Sequence, residues 1–158
     1  MHSSWACEQE LGISFRTVIH DKRISIQRVP IIECSCCCRY EILPQVKQHL
    51  CSLLEEFKGQ AGYINVEFTA CNELAGLMYE WLQNADRGCE SASYHDFQRT
   101  LEARIDHLLD VYQYAKVQGD QVWMDELKER LRQLSMATKS FNFTELCHKM
   151  ILSNEKFS

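Results

Sequence analysis

The chain has 158 residues, of which 46% are hydrophobic and 25% are charged. This balance predicts one folded domain of ordinary size, or two small ones, and excludes a disordered chain. No apolar run approaches the roughly 18 residues that span a bilayer, and the first residues lack the basic and apolar segments of a signal peptide. We therefore expect a cytoplasmic protein that has no contact with a membrane.

The net charge of -5 is unevenly distributed. Residues 1–60 hold seven basic and seven acidic side chains, whereas residues 61–158 hold ten and fifteen. Nucleic-acid binding needs a basic face, so we do not expect it in the acidic C-terminal part. A local basic patch in the neutral N-terminal part remains an alternative.

Apolar residues alternate with period two over residues 13–34, which predicts two strands. The polar turn His20-Asp21-Lys22-Arg23 joins them into a hairpin. Pro30 cannot donate to a strand ladder, so we expect it on an edge strand or at a strand end. The cysteine-rich segment Cys34-Ser35-Cys36-Cys37-Cys38 begins where the second strand leaves the hairpin.

Helical spacing of apolar residues predicts a first helix from Pro44 to Gly59 and a second from Leu74 to about Asp86. Between them, residues 64–68 alternate and predict a short strand. A last short helix is predicted from about Phe143 to Leu152.

A long helical hairpin is predicted between these two helices. Ser93 and Asp96 resemble a capping box, and the helix that they begin continues for about 25 residues to Gly119. Asp120 caps the next helix, whose apolar face reaches Leu134. Because only two residues link the helices, they must fold back antiparallel.

The predicted fold class is α+β. A small N-terminal β-hairpin module, similar to a zinc ribbon, precedes a mainly α-helical bundle of about five helices. The boundary falls near Gly59 to Gly62 and divides the chain into residues 1–60 and 61–158.

The nine cysteines are the composition's clearest anomaly. An odd number with four crowded together is a poor disulfide framework, particularly in a reducing compartment. Cys34 and Cys37 have the C-x-x-C spacing that brings two thiolates onto one zinc ion. Two further ligands are needed, and a zinc ribbon takes them from near the start of the hairpin. The candidate metal ligands are Cys7, Glu10, Cys34 and Cys37, with Cys36 or Cys38 as substitute ligands.

Two other interpretations of the cysteines stay open. The ancestral zinc has been lost and the cysteines only pack, or adjacent thiols act as a redox sensor, for which Arg39 is the one nearby cation in the sequence. The remaining cysteines are expected to be ordinary helix residues: Cys51, Cys71, Cys89 and Cys147.

Several segments together resemble the YgiT-type zinc finger found in MqsA-like antitoxins and in many small bacterial proteins. They are Phe15-Arg16-Thr17-Val18, Ile24-Ser25-Ile26, Val29-Pro30-Ile31-Ile32-Glu33-Cys34 and the C-x-x-C that leads into a helix. The resemblance covers about residues 7–57. It implies one structural zinc held by two C-x-x-C pairs, which match Cys7, Cys34 and Cys37, with Glu10 in place of the remaining thiolate.

The antitoxins of this kind carry a helix-turn-helix domain after the finger, where this chain has an acidic helical hairpin. Their DNA binding is therefore not carried over. A DNA-binding regulator or antitoxin remains an alternative, and it requires one basic face formed by Arg16, Lys22, Arg23, Arg28 and Arg39.

Residues 105–134 weakly resemble the helical segments of Gram-positive bacterial proteins named for an I-D-E-A-L sequence. The likeness lies in Ile105-Asp106-His107-Leu108-Leu109-Asp110, Gly119-Asp120, Trp123 and the segment 126–131. The acidic pairs are further apart here, and a plain helical hairpin gives the same pattern.

No G-x-S-x-G, P-loop, G-x-G-x-x-G or H-E-x-x-H motif is present. We therefore expect a non-enzymatic regulatory or adaptor protein that binds another protein, or a second copy of itself, through the helical hairpin. Tyr114, Phe141 and Phe143 would mark the binding site if they are exposed together, whereas Tyr112 and Trp123 fall on the buried faces.

Overall fold

The computed structural model describes residues 11–34, 37–86 and 94–139. Its fold is α+β, as predicted: an antiparallel sheet comes first and a mainly helical region follows. The strands are β1 (Leu11–His20), β2 (Ile24–Cys34), β3 (Tyr40–Ile42) and β4 (Ile64–Glu67). The helices are α1 (Pro44–Lys58), α2 (Phe68–Cys71), α3 (Glu73–Asp86), α4 (Tyr94–Gln118) and α5 (Gln121–Lys139).

The long strand β2 organises the sheet. It pairs antiparallel with β1 along one edge. Along its other edge, residues 31–33 pair antiparallel with β3, and residues 24–27 pair parallel with β4. The predicted hairpin turn is confirmed: Asp21 and Lys22 both have positive φ, and the N–H of Arg23 donates to the carbonyl of His20 at 3.3 Å. This is the geometry of a type I′ turn, whose twist matches the strands that it joins.

A β-bulge interrupts the β1–β2 ladder. Two β2 residues, Gln27 and Arg28, stand opposite Thr17 alone, and Arg28 has a φ of 56°. The extra residue resets the alternation of β2. Ile26 and Val29 therefore face the same side of the sheet, and both are buried.

Pro30 corrects one expectation, because it lies on the central strand β2 and not on an edge strand. Its carbonyl accepts the N–H of Leu43 at 3.1 Å. The nitrogen and the carbonyl of a strand residue point toward the same edge of the strand. The nitrogen of Pro30 therefore points toward the edge where β2 is paired with β4 over residues 24–27 and with β3 over residues 31–33. Pro30 lies between these two pairings, so its lack of an N–H removes no hydrogen bond of the sheet.

One hydrophobic core joins the sheet to the helices, and β4 completes the sheet from beyond the predicted boundary at residue 60. The division into residues 1–60 and 61–158 stays a prediction. The fully buried large side chains of the core include Ile24, Ile26, Leu50, Phe68, Leu74, Leu77, Phe97, Leu108 and Leu127.

Helix α1 begins at a proline and is anchored at its far end by the hairpin turn of the sheet. Pro44 begins it, where a missing N–H costs nothing. At the other end, the guanidinium of Arg23 donates to the carbonyls of Gln60 at 2.8 Å and Lys58 at 3.1 Å. The hairpin turn thereby satisfies carbonyls that the end of a helix leaves without a partner.

The predicted antiparallel hairpin of α4 and α5 is confirmed. Gly119 links the helices with a φ of 69°, and Asp120 caps α5 by accepting the N–H of Trp123 at 3.0 Å. Helix α5 continues past the predicted Leu134 to Lys139. The predicted cap at Ser93 and the predicted last helix lie outside the described residues. Within the described ranges, no helix is both long and apolar enough to cross a membrane.

Candidate functional site

The described cysteines of the segment, Cys34, Cys37 and Cys38, lie at the connection between β2 and β3, which we call the cysteine turn. The N–H of Cys34 donates to the carbonyl of Arg39 at 2.9 Å, and the N–H of Cys38 donates to the carbonyl of Cys34 at 3.0 Å. Cys38 has a φ of 56°, in the left-handed region. The two hydrogen bonds close the connection that carries Cys34 and Cys37, the two cysteines of the C-x-x-C pair.

The candidate ligands lie in different environments. Cys34 is buried at the end of β2, whereas Cys37 and Cys38 are exposed. Cys7, Glu10 and Cys36 lie outside the described residues. Among the residues that the structure describes, no group of three or more His, Cys, Asp or Glu side chains is placed to hold a metal ion. The described residues therefore contribute Cys34 and Cys37 at one turn, and the four-ligand set stays a prediction.

Two of the four cysteines expected to be ordinary helix residues lie in helices, Cys51 in α1 and Cys71 in α2, and both are exposed. Although Cys71 is exposed, partial desolvation of its thiol, together with the charges of Glu56 and Glu67, raises its pKa. A raised pKa lowers the thiolate fraction, so this environment opposes activation of Cys71. Cys89 and Cys147 lie outside the described residues.

A charged cluster lies beside the cysteine turn. Glu33 accepts hydrogen bonds from Ser14 at 2.8 Å and Arg16 at 2.6 Å, and these bonds hold the pKa of Glu33 below its usual value. The guanidinium of Arg16 also stacks over Tyr40, 5.0 Å from the ring centroid. Arg16 is thus engaged within the sheet.

Two more of the cations that DNA binding would require have internal partners. Arg28 pairs with Glu67 at 3.0 Å and stacks on Tyr79, with its guanidinium carbon 4.8 Å from the ring centroid. Arg23 donates to the carbonyls at the end of α1. This geometry favours a structural role for these cations over a shared phosphate-binding face.

A buried polar junction joins α3 to α4 and α5. Glu73, the first residue of α3, accepts from Arg104 of α4 at 2.6 Å and from Arg130 of α5 at 2.8 Å. Its backbone N–H donates to Oε1 of Gln133 at 2.8 Å, and Gln133 is buried. We call Glu73, Arg104, Arg130 and Gln133 the α3 junction.

Burial of the Glu73 carboxylate opposes its ionisation, but the hydrogen bonds from Arg130 and Arg104 outweigh that cost and hold its pKa below the usual value. Glu73 is therefore a largely buried anion, with a side chain 10% exposed, that joins three helices. Sequence reasoning missed the α3 junction, although Asn72 and Glu73 just before an apolar helical pattern are typical of a helix start.

The closed end of the α4–α5 hairpin exposes apolar side chains. Tyr114, Val117 and Val122 are 59%, 82% and 80% exposed. The Tyr114 ring contacts Trp123 edge-on, with the centroids 6.0 Å apart. We call Tyr114, Val117 and Val122 the hairpin tip.

The aromatic residues named from the sequence divide as expected where they are described: Tyr114 is exposed, while Tyr112 and Trp123 are partly buried in the core. Phe141 and Phe143 lie outside the described residues. The exposure of Val117 and Val122 was not predicted, although both lie outside the apolar stripes of their helices, a position that favours exposure.

Known proteins provide no guide to this site. Comparison of the chain with protein-family models, curated proteins and solved structures finds no match in any of the three. The hairpin tip, with the cysteine turn as a second feature, is the candidate site that the geometry of the chain itself offers.

Proposed function

We propose that this chain is a non-enzymatic regulatory or adaptor protein that binds another protein through the hairpin tip. The observation that carries the proposal is the exposure of Tyr114, Val117 and Val122 around one tight turn. A protein surface that gathers apolar side chains on a rigid element is typical of an interaction site.

Two features restrain the tip, which favours binding. Asp120 caps the first turn of α5, and Leu127, further along that helix, is fully buried in the core. A preorganised surface loses little conformational entropy when a partner docks. Acidic side chains such as Asp110 and Asp125 lie on the same helices, so a partner with a basic rim around an apolar groove fits this surface.

The test begins with a photo-crosslinking amino acid placed at Val117 of the full chain in cells. The protein that crosslinks is identified and purified, and its affinity is measured by calorimetry. Since two exposed valines would be buried on binding, the variant Val117→Ser/Val122→Ser should bind at least about tenfold more weakly.

The control is Ile19→Ser, which removes another exposed apolar side chain, 69% exposed, from β1. This control should bind as the unaltered protein does. Equal affinities for the tip variant and the unaltered protein would contradict the proposal. If the chain crosslinks to a second copy of itself, the partner is that second copy and the assembly is a homo-oligomer.

We also propose that a structural zinc ion ties the N-terminal segment to the cysteine turn, with Cys34 and Cys37 as two of its ligands and Cys7 and Glu10 as the others. What supports this is the pair of backbone hydrogen bonds that closes the cysteine turn, with Cys34 at the end of β2 and Cys37 in the connection to β3. Thiolates are the donors that zinc prefers in structural sites.

Native mass spectrometry tests the zinc proposal on protein expressed with zinc in the medium. The unaltered chain should carry the mass of one zinc ion, and Cys37→Ser should lose it. The control Cys51→Ser changes an exposed cysteine of α1 and should keep the metal. A bare mass for the unaltered chain, or zinc retained by Cys37→Ser, would show the proposal to be wrong.

A further inference from the structure

His49 lies where α1 meets the start of α3. Its ring is partly buried against Phe68 of α2, with the ring centroids 5.7 Å apart. Its Nδ1 lies 2.9 Å from Nδ2 of Asn72. Asn72 is only 2% exposed. The contact between these elements therefore involves one titratable ring and one buried amide.

The orientation of the Asn72 amide is fixed by α3. Its Oδ1 accepts the backbone N–H of Ala75 at 2.9 Å and so caps the helix. Turning the amide over would set its NH₂ group against that N–H, two donors facing each other. Nδ2 is consequently the group that faces His49.

The state of the imidazole follows from this orientation. An amide NH₂ group only donates, so Nδ1 of His49 must accept and its proton must be on Nε2. The ring is therefore neutral when the contact is made. An imidazolium carries an N–H on both nitrogens and offers no acceptor in any ring orientation.

We propose that His49 and Asn72 form a proton-sensitive contact that breaks at mildly acidic pH and loosens α1 from the start of α3. Asn72 cannot adapt to a protonated ring without releasing the N–H of Ala75. Protonation of His49 therefore removes the contact that holds the Asn72 amide in place, and the cap of α3 weakens with it.

The surrounding charges do not reverse this outcome. From α5, Glu129 favours the charged form of His49 and Arg132 disfavours it, and these two side chains pair with each other at 2.6 Å. From α3, the carboxylate of Glu73 is engaged by two arginines of the α3 junction. Burial is the largest influence and lowers the pKa of His49 below its usual value.

The direction of the pH dependence follows. The folded state holds the proton more weakly than the unfolded chain does, so the contact contributes fully above the unfolded pKa of about 6.5. Its contribution falls as the pH drops toward the lower folded pKa. Because one proton is involved, the equilibrium between the intact and the broken His49–Asn72 contact changes by at most about tenfold per pH unit.

Hydrogen exchange of the Ala75 backbone amide in the full chain, between pH 7.5 and 5.0, tests the proposal. The protection factor of this amide should fall several-fold in the unaltered protein. In His49→Asn, the side-chain oxygen takes the place of Nδ1 and accepts without titrating, so the protection should hold. The control His107→Asn removes an exposed imidazole from α4 and should behave like the unaltered protein.

An equal loss of protection in His49→Asn and in the unaltered protein would overturn the proposal. A second measurement requires no variant: nitrogen chemical shifts of His49 at pH 7.5 report which ring nitrogen carries the proton. A proton on Nδ1 would overturn the proposal directly, and a proton on Nε2 supports it.

Discussion

Glu73 shows how much one side chain can contribute when its partners come from distant parts of the chain. Arg104 and Arg130 reach its two carboxylate oxygens from separate helices. The side chain of Glu73 is 10% exposed, so water replaces a lost partner poorly. Removing the carboxylate would leave two guanidinium groups facing each other across the α3 junction.

We expect Glu73→Gln to lower the free energy of unfolding by about 2 kcal/mol, below the range for fully buried pairs because both arginines retain some contact with water. Urea denaturation at pH 7 measures this change. The control Glu55→Gln removes an exposed carboxylate that pairs with Lys58 and should leave the free energy unchanged. An equal effect of the two variants would contradict a special role for Glu73.

The same residue gives an acid dependence of known sign. The pKa of Glu73 is lowered in the folded state, so its stabilisation is complete above about pH 4.3 and is lost as the pH falls through the folded pKa. The Glu73→Gln variant lacks this contribution, and its stability should fall less steeply in that range.

At the scale of elements, α2 and α3 pack more closely than a side chain allows. A Cβ atom added to Gly76 would lie 2.7 Å from the carbonyl oxygen of Thr69. This oxygen belongs to the backbone, so it cannot move aside cheaply. Only glycine at this position permits the short helix α2 to fold against α3.

We expect Gly76→Ala to lower the free energy of unfolding by about 1–3 kcal/mol because the two helices must separate. The control is Gly59→Ala at the end of α1, where the added Cβ would meet its nearest atom at 3.6 Å. That control should be neutral or stabilise by about 0.5 kcal/mol. Thermal unfolding followed by circular dichroism compares the two, and equal melting temperatures would contradict the prediction.

Elements were predictable wherever their signal is local. The period-two pattern around Ile24 and Ile26 and the helical spacing around Leu101 and Leu108 identify strands and helices directly. The parallel pairing of β4 with β2 was not predictable, since it joins segments about forty residues apart and leaves no mark in either. Pro30 was misplaced for the same reason: the gap that tolerates it exists only after β3 and β4 have paired.

At the scale of the whole molecule, the parts of the candidate sites that depend on local sequence could be predicted, and the parts that depend on contacts between distant segments could not. The spacing of Cys34 and Cys37 is local and can be seen in the sequence, whereas zinc binding by these residues stays a prediction. The α3 junction was not, because Glu73 and Arg130 are 57 positions apart and meet only when the helices pack. The hairpin itself was predicted, but the exposure of Val117 depends on which face of α4 the rest of the molecule covers.

The distance between the α3 junction and the hairpin tip has a mechanical consequence. Trp81 and Phe97 pack edge to face near the start of α4, and Arg104 ties the same stretch to α3. Gly119 lies about 22 Å further along the helix axis. Displacement at the end of a helix grows with distance along it, so any rotation of α4 and α5 about Glu73 would move Val117 and Val122 further than the residues of the α3 junction. The contacts of Glu73 therefore contribute to how precisely the tip is presented.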